Sequence, residues 1–140
     1  MRDKTEHMPI TEQPLPYVGC LDARPLSQID LVVMHCTELP DMAMAREYGE
    51  RVLYPSGTGH SGHFYIDRDG SIIRYVPMDR IANHTRGFNP RSIGIEIVNI
   101  GRYPHWLDSR HQAMNEPYTA DQRLAVIDLL THLTSELPSL

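Results

Sequence analysis

Short apolar runs separated by turn-forming residues give the chain its clearest pattern. Residues 31–35 (LVVMH) are apolar up to their last position, which is typical of a strand buried on both faces. Residues 63–77 (HFYIDRDGSIIRYVP) contain two β-prone runs on either side of Asp69 and Gly70, a pair that favours a tight turn. These residues therefore predict a β-hairpin.

Residues 91–100 (RSIGIEIVNI) have the alternation of a further strand. Successive side chains of a strand point to opposite faces of the sheet. One face should carry Ile93, Ile95 and Ile97, and the other should carry Gly94, Glu96 and Val98.

Two segments have the composition and spacing of helices. Residues 39–53 (LPDMAMAREYGERVL) are rich in good helix formers. Residues 119–140 begin with Thr119, and Gln122 follows three residues later, which fits a capping box. The apolar stripe predicted for this second helix consists of Val126, Leu130, Leu133 and Leu137.

The order of strand, helix, hairpin, strand and helix predicts an α/β domain with helices packed on a central sheet. A length of 140 residues fits one domain. Residues 1–28 are rich in proline and polar residues, so we expect an irregular arm that lies over a domain of residues 29–140. Residues 101–118 have little regular pattern, and connections of that length are usually functional or mobile.

Composition and charge argue against several classes of protein. The net charge is −5 and the only lysine is Lys4, so the basic face of a nucleic-acid binder is not expected. No apolar run reaches the ~20 residues of a membrane span, and the N-terminus lacks the apolar centre of a secretory signal. We therefore expect a cytoplasmic protein, with Cys20 and Cys36 as reduced thiols. The sequence gives no indication of the oligomeric state.

Two polar residues interrupt the predicted strands. His35 ends an apolar strand at the edge where α/β sheets expose functional residues, and a neutral imidazole there can bind zinc. A buried structural histidine is the alternative. Glu96 lies in an otherwise apolar strand, where burial would raise its pKa and suit it to acid–base catalysis. The alternative for Glu96 is a buried ion pair with Arg74, Arg86 or Arg91.

A loop of polar residues (ANHTRGFNP) leads into the strand of Glu96. Its histidine and arginine, His84 and Arg86, can line a cleft for an anionic or amide-rich ligand, because arginine binds carboxylates in bidentate geometry. The alternative is a loop held by its own polar side chains. We expect solvated or half-buried side chains at the histidines of the N-terminal arm, the long connection and the C-terminal helix, which are His7, His105, His111 and His132.

Four segments (LVVMHCT, HFYIDRDGSIIRYVP, ANHTRG and SIGIEIVN) occur in this order and at similar spacing in the type-2 N-acetylmuramoyl-L-alanine amidases. The chain resembles that family, which includes phage amidase lysozymes and peptidoglycan recognition proteins, over roughly residues 30–137. The resemblance implies a mixed central β-sheet flanked by helices. It also implies zinc-dependent hydrolysis of the amide between the lactyl group of muramic acid and L-alanine, in peptidoglycan or a muropeptide.

The resemblance implies roles for individual residues. His35 matches the first zinc ligand of the family, and Glu96 matches its proposed catalytic carboxylate. His84, Arg86 and Asn89 match a loop thought to contact substrate.

The family's other two zinc ligands follow its last helix, and no matching segment is present after residue 137. Three explanations remain open: a shortened amidase, a relative that binds muropeptide without zinc, or a site in which His60 or His63 replaces a ligand. We interpret His63, which matches a histidine at the start of the family's hairpin, as structural. Cys36 should point away from the face of His35, so we do not expect it to be a ligand.

Overall fold

Five strands form one sheet in the computed structural model, which describes residues 9–140. The elements in chain order are β1 (Ile10–Glu12), β2 (Leu31–Cys36), α1 (Met42–Glu50), β3 (Phe64–Ile66), β4 (Ile72–Arg74), β5 (Ser92–Ile97) and α2 (Ala120–Glu136). The strand order is β1-β4-β3-β5-β2, and only β3 and β4 pair antiparallel. The prediction of a mixed sheet flanked by helices is confirmed.

The predicted hairpin is present as β3 and β4. Its turn residue Gly70 has a φ of +85°, a conformation that glycine adopts without strain. A Cβ at this position would also lie 2.9 Å from the carbonyl oxygen of Asp121, at the start of α2. The turn therefore needs glycine both for its backbone angle and for the close approach of the helix.

The helix α2 begins at the predicted capping box. Thr119 Oγ1 accepts the backbone N–H of Gln122, and Gln122 Oε1 accepts the backbone N–H of Thr119, each at 3.0 Å. The buried face differs in part from the predicted stripe, because Val126 and Leu130 lie only at its margin. The apolar side chains at its centre belong to Ala125, Leu129, Leu133 and Leu137.

The strand β5 lies between β3 and β2, and all of its residues are buried. Ile93, Ile95 and Ile97 face α2 and share a core cluster with its leucines, as the alternation predicts. The opposite face of the sheet packs against α1 and the segment before β2 in a second cluster. Glu96 belongs to this opposite face.

The prediction that residues 31–35 are buried on both faces is wrong. Within the described part of the chain, β2 is an edge strand that pairs only with β5, and Met34 is 54% exposed. The sequence pattern failed because a continuous apolar run indicates a strand but does not show which of its faces are covered.

The start of the described chain is more regular than predicted. Ile10–Glu12 forms β1 and pairs with β4, and Leu15, Tyr17 and Leu21 are buried in the second core cluster. Residues 1–8, which include His7, lie outside the described residues, and the boundary after residue 28 stays a prediction. Among residues 9–140, no helix has the length and apolar character needed to cross a membrane.

Replacing Thr119 with alanine should lower the free energy of unfolding by about 1–2 kcal/mol, because the substitution removes the N-cap of α2. The same hydroxyl also donates to the carbonyl of Arg68 at 2.6 Å, which links the helix to the hairpin turn. Urea denaturation measures the change. In the control Thr131→Ala, at an exposed position inside α2, the change should stay within about 0.5 kcal/mol. Equal losses in the two variants would contradict the role of the cap.

Candidate functional site

The parallel pairing of β2 with β5 places His35 directly opposite Glu96. Tyr65 of β3 is opposite Glu96 on the other side of β5. Opposed residues of neighbouring strands point to the same face of the sheet. All three side chains accordingly line one cavity of about 300 Å³, whose outer wall includes Tyr48 and Trp106.

Glu96 is a buried carboxyl that no arginine of the described chain neutralises. Its side chain is 7% exposed, and desolvation raises its pKa to about 8. The alternative of a buried ion pair is not found among residues 9–140, since Arg74 binds Glu12 and Arg91 binds Asp30. A carboxyl with a pKa near neutral pH can both release and accept protons under physiological conditions.

The imidazole of His35, which lines this cavity, faces the imidazole of His84. His35 Nε2 lies 2.9 Å from His84 Nδ1, and Thr85 Oγ1 is 3.0 Å from each of these nitrogens. Desolvation lowers the pKa of both histidines, that of His84 to about 4, and their proximity adds to the shift at His84. Both rings are therefore neutral at pH 7, and one of the facing nitrogens donates to the other.

The loop that carries His84 is held in place by its neighbours. Asn89 Oδ1 accepts the backbone N–H groups of His84 and Thr85 at 3.0 and 2.8 Å. The buried Ser92 Oγ lies 3.0 Å from His84 Nε2. A Cβ on Gly94 would come within 2.7 Å of the His84 ring, so the imidazole packs directly on the backbone of β5. In this structure Asn89 acts as a brace for the loop.

A second cavity, of about 430 Å³, is lined by the same loop. Arg86 is exposed at its edge, and His84 and Asn89 also line it. His60 lines both this cavity and the one that contains Glu96. The residues predicted for substrate contact thus line this second cavity, which shares His60 with the first.

His63 has no ring nitrogen available for a metal ion. Its Nδ1 accepts the backbone N–H of Gly94 at 3.0 Å, and its Nε2 donates to the carbonyl of Arg80 at 2.9 Å. The side chain is fully buried, and desolvation lowers its pKa to about 3. His63 fixes β5 against the segment after β4 and does not replace a zinc ligand.

The described residues around His35 do not form a complete catalytic zinc site. Such sites normally have three protein ligands, with Zn–N distances of about 2.0–2.1 Å. Here two imidazole nitrogens and one hydroxyl converge, and no cysteine or carboxylate completes the set. Among residues 9–140, the only cluster of three metal-binding side chains is on a different loop, at His105, Asp108 and His111.

The fold is shared with an N-acetylmuramoyl-L-alanine amidase and with peptidoglycan recognition proteins. The amidase LysC from Clostridium intestinale URNW superposes with a TM-score of 0.70 at 22% identity, over 94% of this chain and 78% of LysC. Drosophila peptidoglycan recognition protein SA superposes with a TM-score of 0.68 at 17% identity, over 92% of this chain and 73% of that protein.

A third similar structure contains a ligand. It is peptidoglycan recognition protein LE in complex with tracheal cytotoxin, a monomeric diaminopimelic acid-type peptidoglycan. It superposes with a TM-score of 0.60 at 19% identity, over 88% of this chain and 74% of that one. No curated protein sequence matches this chain. At these identities the structural similarities show the fold.

The family follows from the sequence match. A family model described as N-acetylmuramoyl-L-alanine amidase matches residues 25–138, and the chain belongs to this amidase family. The family inferred from the order and spacing of the four segments is therefore confirmed.

Sequence reasoning missed the residues that position the two histidines. Thr85 bridges His35 and His84, and Ser92 holds the far nitrogen of His84. Threonine and serine are too common for such roles to be recognised without the structure. Trp106, which lines the cavity, could have been suspected from the sequence, because it is the only tryptophan and lies in the long irregular connection.

Replacing Gly94 with alanine should displace the His84 ring, because the new methyl group would overlap it. Overpacking of this kind costs about 1–3 kcal/mol of unfolding free energy. The imidazole resonances of His84 and His35 should shift in NMR spectra as their hydrogen bond changes. Gly19→Ala is the control, since a Cβ on Gly19 meets nothing within 4 Å. Unchanged imidazole resonances in the Gly94 variant would contradict the packing described here.

The raised pKa of Glu96 predicts a specific dependence of stability on pH. The folded chain keeps a proton on Glu96 up to about pH 8, whereas the unfolded chain loses it near 4.5. Ionisation of Glu96 should therefore destabilise the fold as pH rises from about 5 to 8. Over this range Glu96→Gln should become more stable relative to the natural chain, by a few kcal/mol at most.

Denaturation at a series of pH values measures this difference. The control Glu136→Gln, at an exposed position in the last turn of α2, should leave the pH profile unchanged. A constant difference between the natural chain and Glu96→Gln would contradict a buried, protonated carboxyl.

Proposed function

We propose that the cavity between His35 and Glu96 binds a muropeptide and that Glu96 acts as the acid–base group for hydrolysis of its lactyl–L-alanine amide. The observation that carries the proposal is the pairing of His35 with Glu96 across β2 and β5. It places a buried carboxyl with a pKa of about 8 beside a neutral imidazole, in a cavity open to solvent.

The proposed chemistry starts from the molecules in which Glu96 is ionised, which are a minority at pH 7 because its pKa is about 8. Its carboxylate takes a proton from an attacking water while the water oxygen bonds to the amide carbon. The protonated carboxyl then gives this proton to the departing nitrogen of L-alanine as the carbon–nitrogen bond breaks. A pKa near the working pH makes both transfers accessible to the same group.

The surroundings of the cavity fit an elongated ligand with sugar and peptide parts. Tyr48 and Trp106 present aromatic rings in the wall of the first cavity. Arg86 lies at the edge of the second cavity, where its guanidinium can bind a peptide carboxylate in bidentate geometry. His60, which lines both cavities, connects the two parts of the surface.

The incomplete set of zinc ligands around His35 favours a second candidate function, in which the chain binds muropeptide but cleaves little of it. In this family zinc supplies a Lewis acid for the scissile carbonyl, and His35 is the residue proposed here to bind it. With His35 and His84 as the described nitrogen donors, a zinc ion would be held weakly, since catalytic sites normally use three protein ligands. We therefore expect binding to exceed catalysis in this chain.

The two activities can be measured on the same purified chain. A muropeptide should bind in a calorimetric titration, and with zinc supplied its stem peptide should be released far more slowly than by an amidase with three zinc ligands. Glu96→Gln should keep the binding and lower the remaining release by about 10²–10⁴-fold. The control Glu136→Gln should keep both.

Each result bears on a different part of the proposal. Absence of muropeptide binding would contradict the assignment of the cavity. Release at the rate of a three-ligand amidase would contradict the account of the zinc ligands. Unchanged release in Glu96→Gln would contradict the role of Glu96.

A further inference from the structure

The long connection between β5 and α2 contains a cluster of metal-binding side chains away from His35. His105, Asp108 and His111 each offer a ligand atom, and these atoms lie within 4.8 Å of one another. We infer that this cluster, termed here the loop site, binds a divalent transition-metal ion such as Zn²⁺, Ni²⁺ or Co²⁺. The inference is independent of the muropeptide proposal.

The spacing of the three residues explains how the backbone brings them together. They lie three positions apart, and the turns between them are closed by backbone hydrogen bonds from Asp108 to His105 and from His111 to Asp108, each at 3.0 Å. A turn of this type places residues i and i+3 on the same side of the chain. Two consecutive turns therefore direct all three side chains to one side.

The side chains of His105, Asp108 and His111 already lie close together without a bound metal ion. His111 Nδ1 lies 2.9 Å from Asp108 Oδ2, and the rings of His105 and His111 stack with their centroids 4.6 Å apart. The Asp108 carboxylate also accepts from Arg110, so both of its oxygens already face donor groups. Two imidazoles and a carboxylate suit zinc and its transition-metal neighbours.

The backbone around the loop site is fixed by contacts that do not involve the ligands' side chains. Gln112 Nε2 donates to the carbonyls of His105 and Asp108 at 3.1 and 2.7 Å. Gln112 Oε1 accepts from Arg102, whose guanidinium also binds both carboxylate oxygens of Glu38. Part of the ordering that metal binding requires is thus already present, which favours affinity.

Arg110 competes with a metal ion for the same carboxylate. Its Nε and Nη2 lie 3.1 and 3.3 Å from the two oxygens of Asp108. The arginine side chain is 81% exposed, so it can leave the carboxylate without uncovering any core residue. Removing Arg110 should therefore strengthen metal binding, whereas a purely structural role for the cluster predicts no such gain.

The loop site adjoins the wall of the muropeptide cavity. Trp106 follows His105 directly, lines that cavity, and donates its indole N–H to the carbonyl of Glu38 at 3.0 Å. Because Trp106 is the only tryptophan in the chain, its fluorescence reports on this loop alone. Metal binding should therefore change the emission of Trp106, and Co²⁺ or Ni²⁺ should quench it.

The experiment is a titration of the purified chain with Co²⁺ or Zn²⁺ alone, followed by Trp106 emission and, for Co²⁺, by visible absorption. One ion should bind per chain. His105→Ala and His111→Ala should each weaken binding at least about tenfold, because each removes one of three ligands. Arg110→Ala should bind several-fold more tightly. The exposed loop should tolerate all three changes, and thermal unfolding checks that the variants remain folded.

Two further variants separate the loop site from the other histidines. His132→Ala, on α2, and His35→Ala should both bind the ion as the natural chain does. Unchanged affinity in His105→Ala and His111→Ala would overturn the proposal. So would loss of the ion in His35→Ala alone, because this result would assign it to the muropeptide cavity.

Discussion

The parallel register of β2 against β5 determines where the two central groups of the candidate site, His35 and Glu96, lie. The six paired positions run from Leu31 with Ser92 to Cys36 with Ile97, and His35 with Glu96 is one of them. Because the side-chain period of a strand is two residues, a slip by one residue would move His35 or Glu96 to the opposite face. That face is filled by the isoleucines of β5 and the leucines of α2. The hydrophobic core therefore fixes the register, and the register fixes the site.

Two glycines, Gly62 and Gly94, leave room for the side chains of Glu96 and His84 beside β5. A Cβ on Gly62 would lie 2.9 Å from Glu96 Cγ, and a Cβ on Gly94 would overlap the ring of His84. The buried carboxyl and the buried imidazole thus occupy volume that side chains would otherwise fill. Desolvation shifts the two pKa values in opposite directions, because it raises that of Glu96 and lowers that of His84. Both groups are kept neutral near pH 7 by one cause, which is the low polarity of their surroundings.

Local sequence signals predicted the secondary-structure elements well, but they did not predict which elements pack or pair with one another. The Asp69–Gly70 turn, the Thr119 cap and the alternation of β5 each act within a few residues, and all three are present. The edge position of β2 and the strand Ile10–Glu12 depend on partners that are distant in sequence, and these were predicted wrongly.

The sequence likewise identified some residues of the candidate site but not the contacts between them. His35 and Glu96 could be identified because polar residues stand out in apolar strands. The hydrogen bond between His35 and His84 joins residues 49 positions apart, and no periodicity reports it. Nor could the sequence show that Asn89 braces the loop, because its partners are backbone N–H groups. At Glu96 three arginines were equally plausible partners, and the fold directs two of them to other carboxylates.

The most direct test of the account is an NMR titration of the labelled chain with a soluble muropeptide, which maps the binding surface residue by residue. We expect the largest shifts at His35 and Glu96 on the β2–β5 face, and at His84 and Trp106 in the adjoining loops. The exposed face of α2, with Leu124 and Ile127, should remain unaffected. Shifts confined to α2, or a saturated complex with no change at His35 and Glu96, would contradict it.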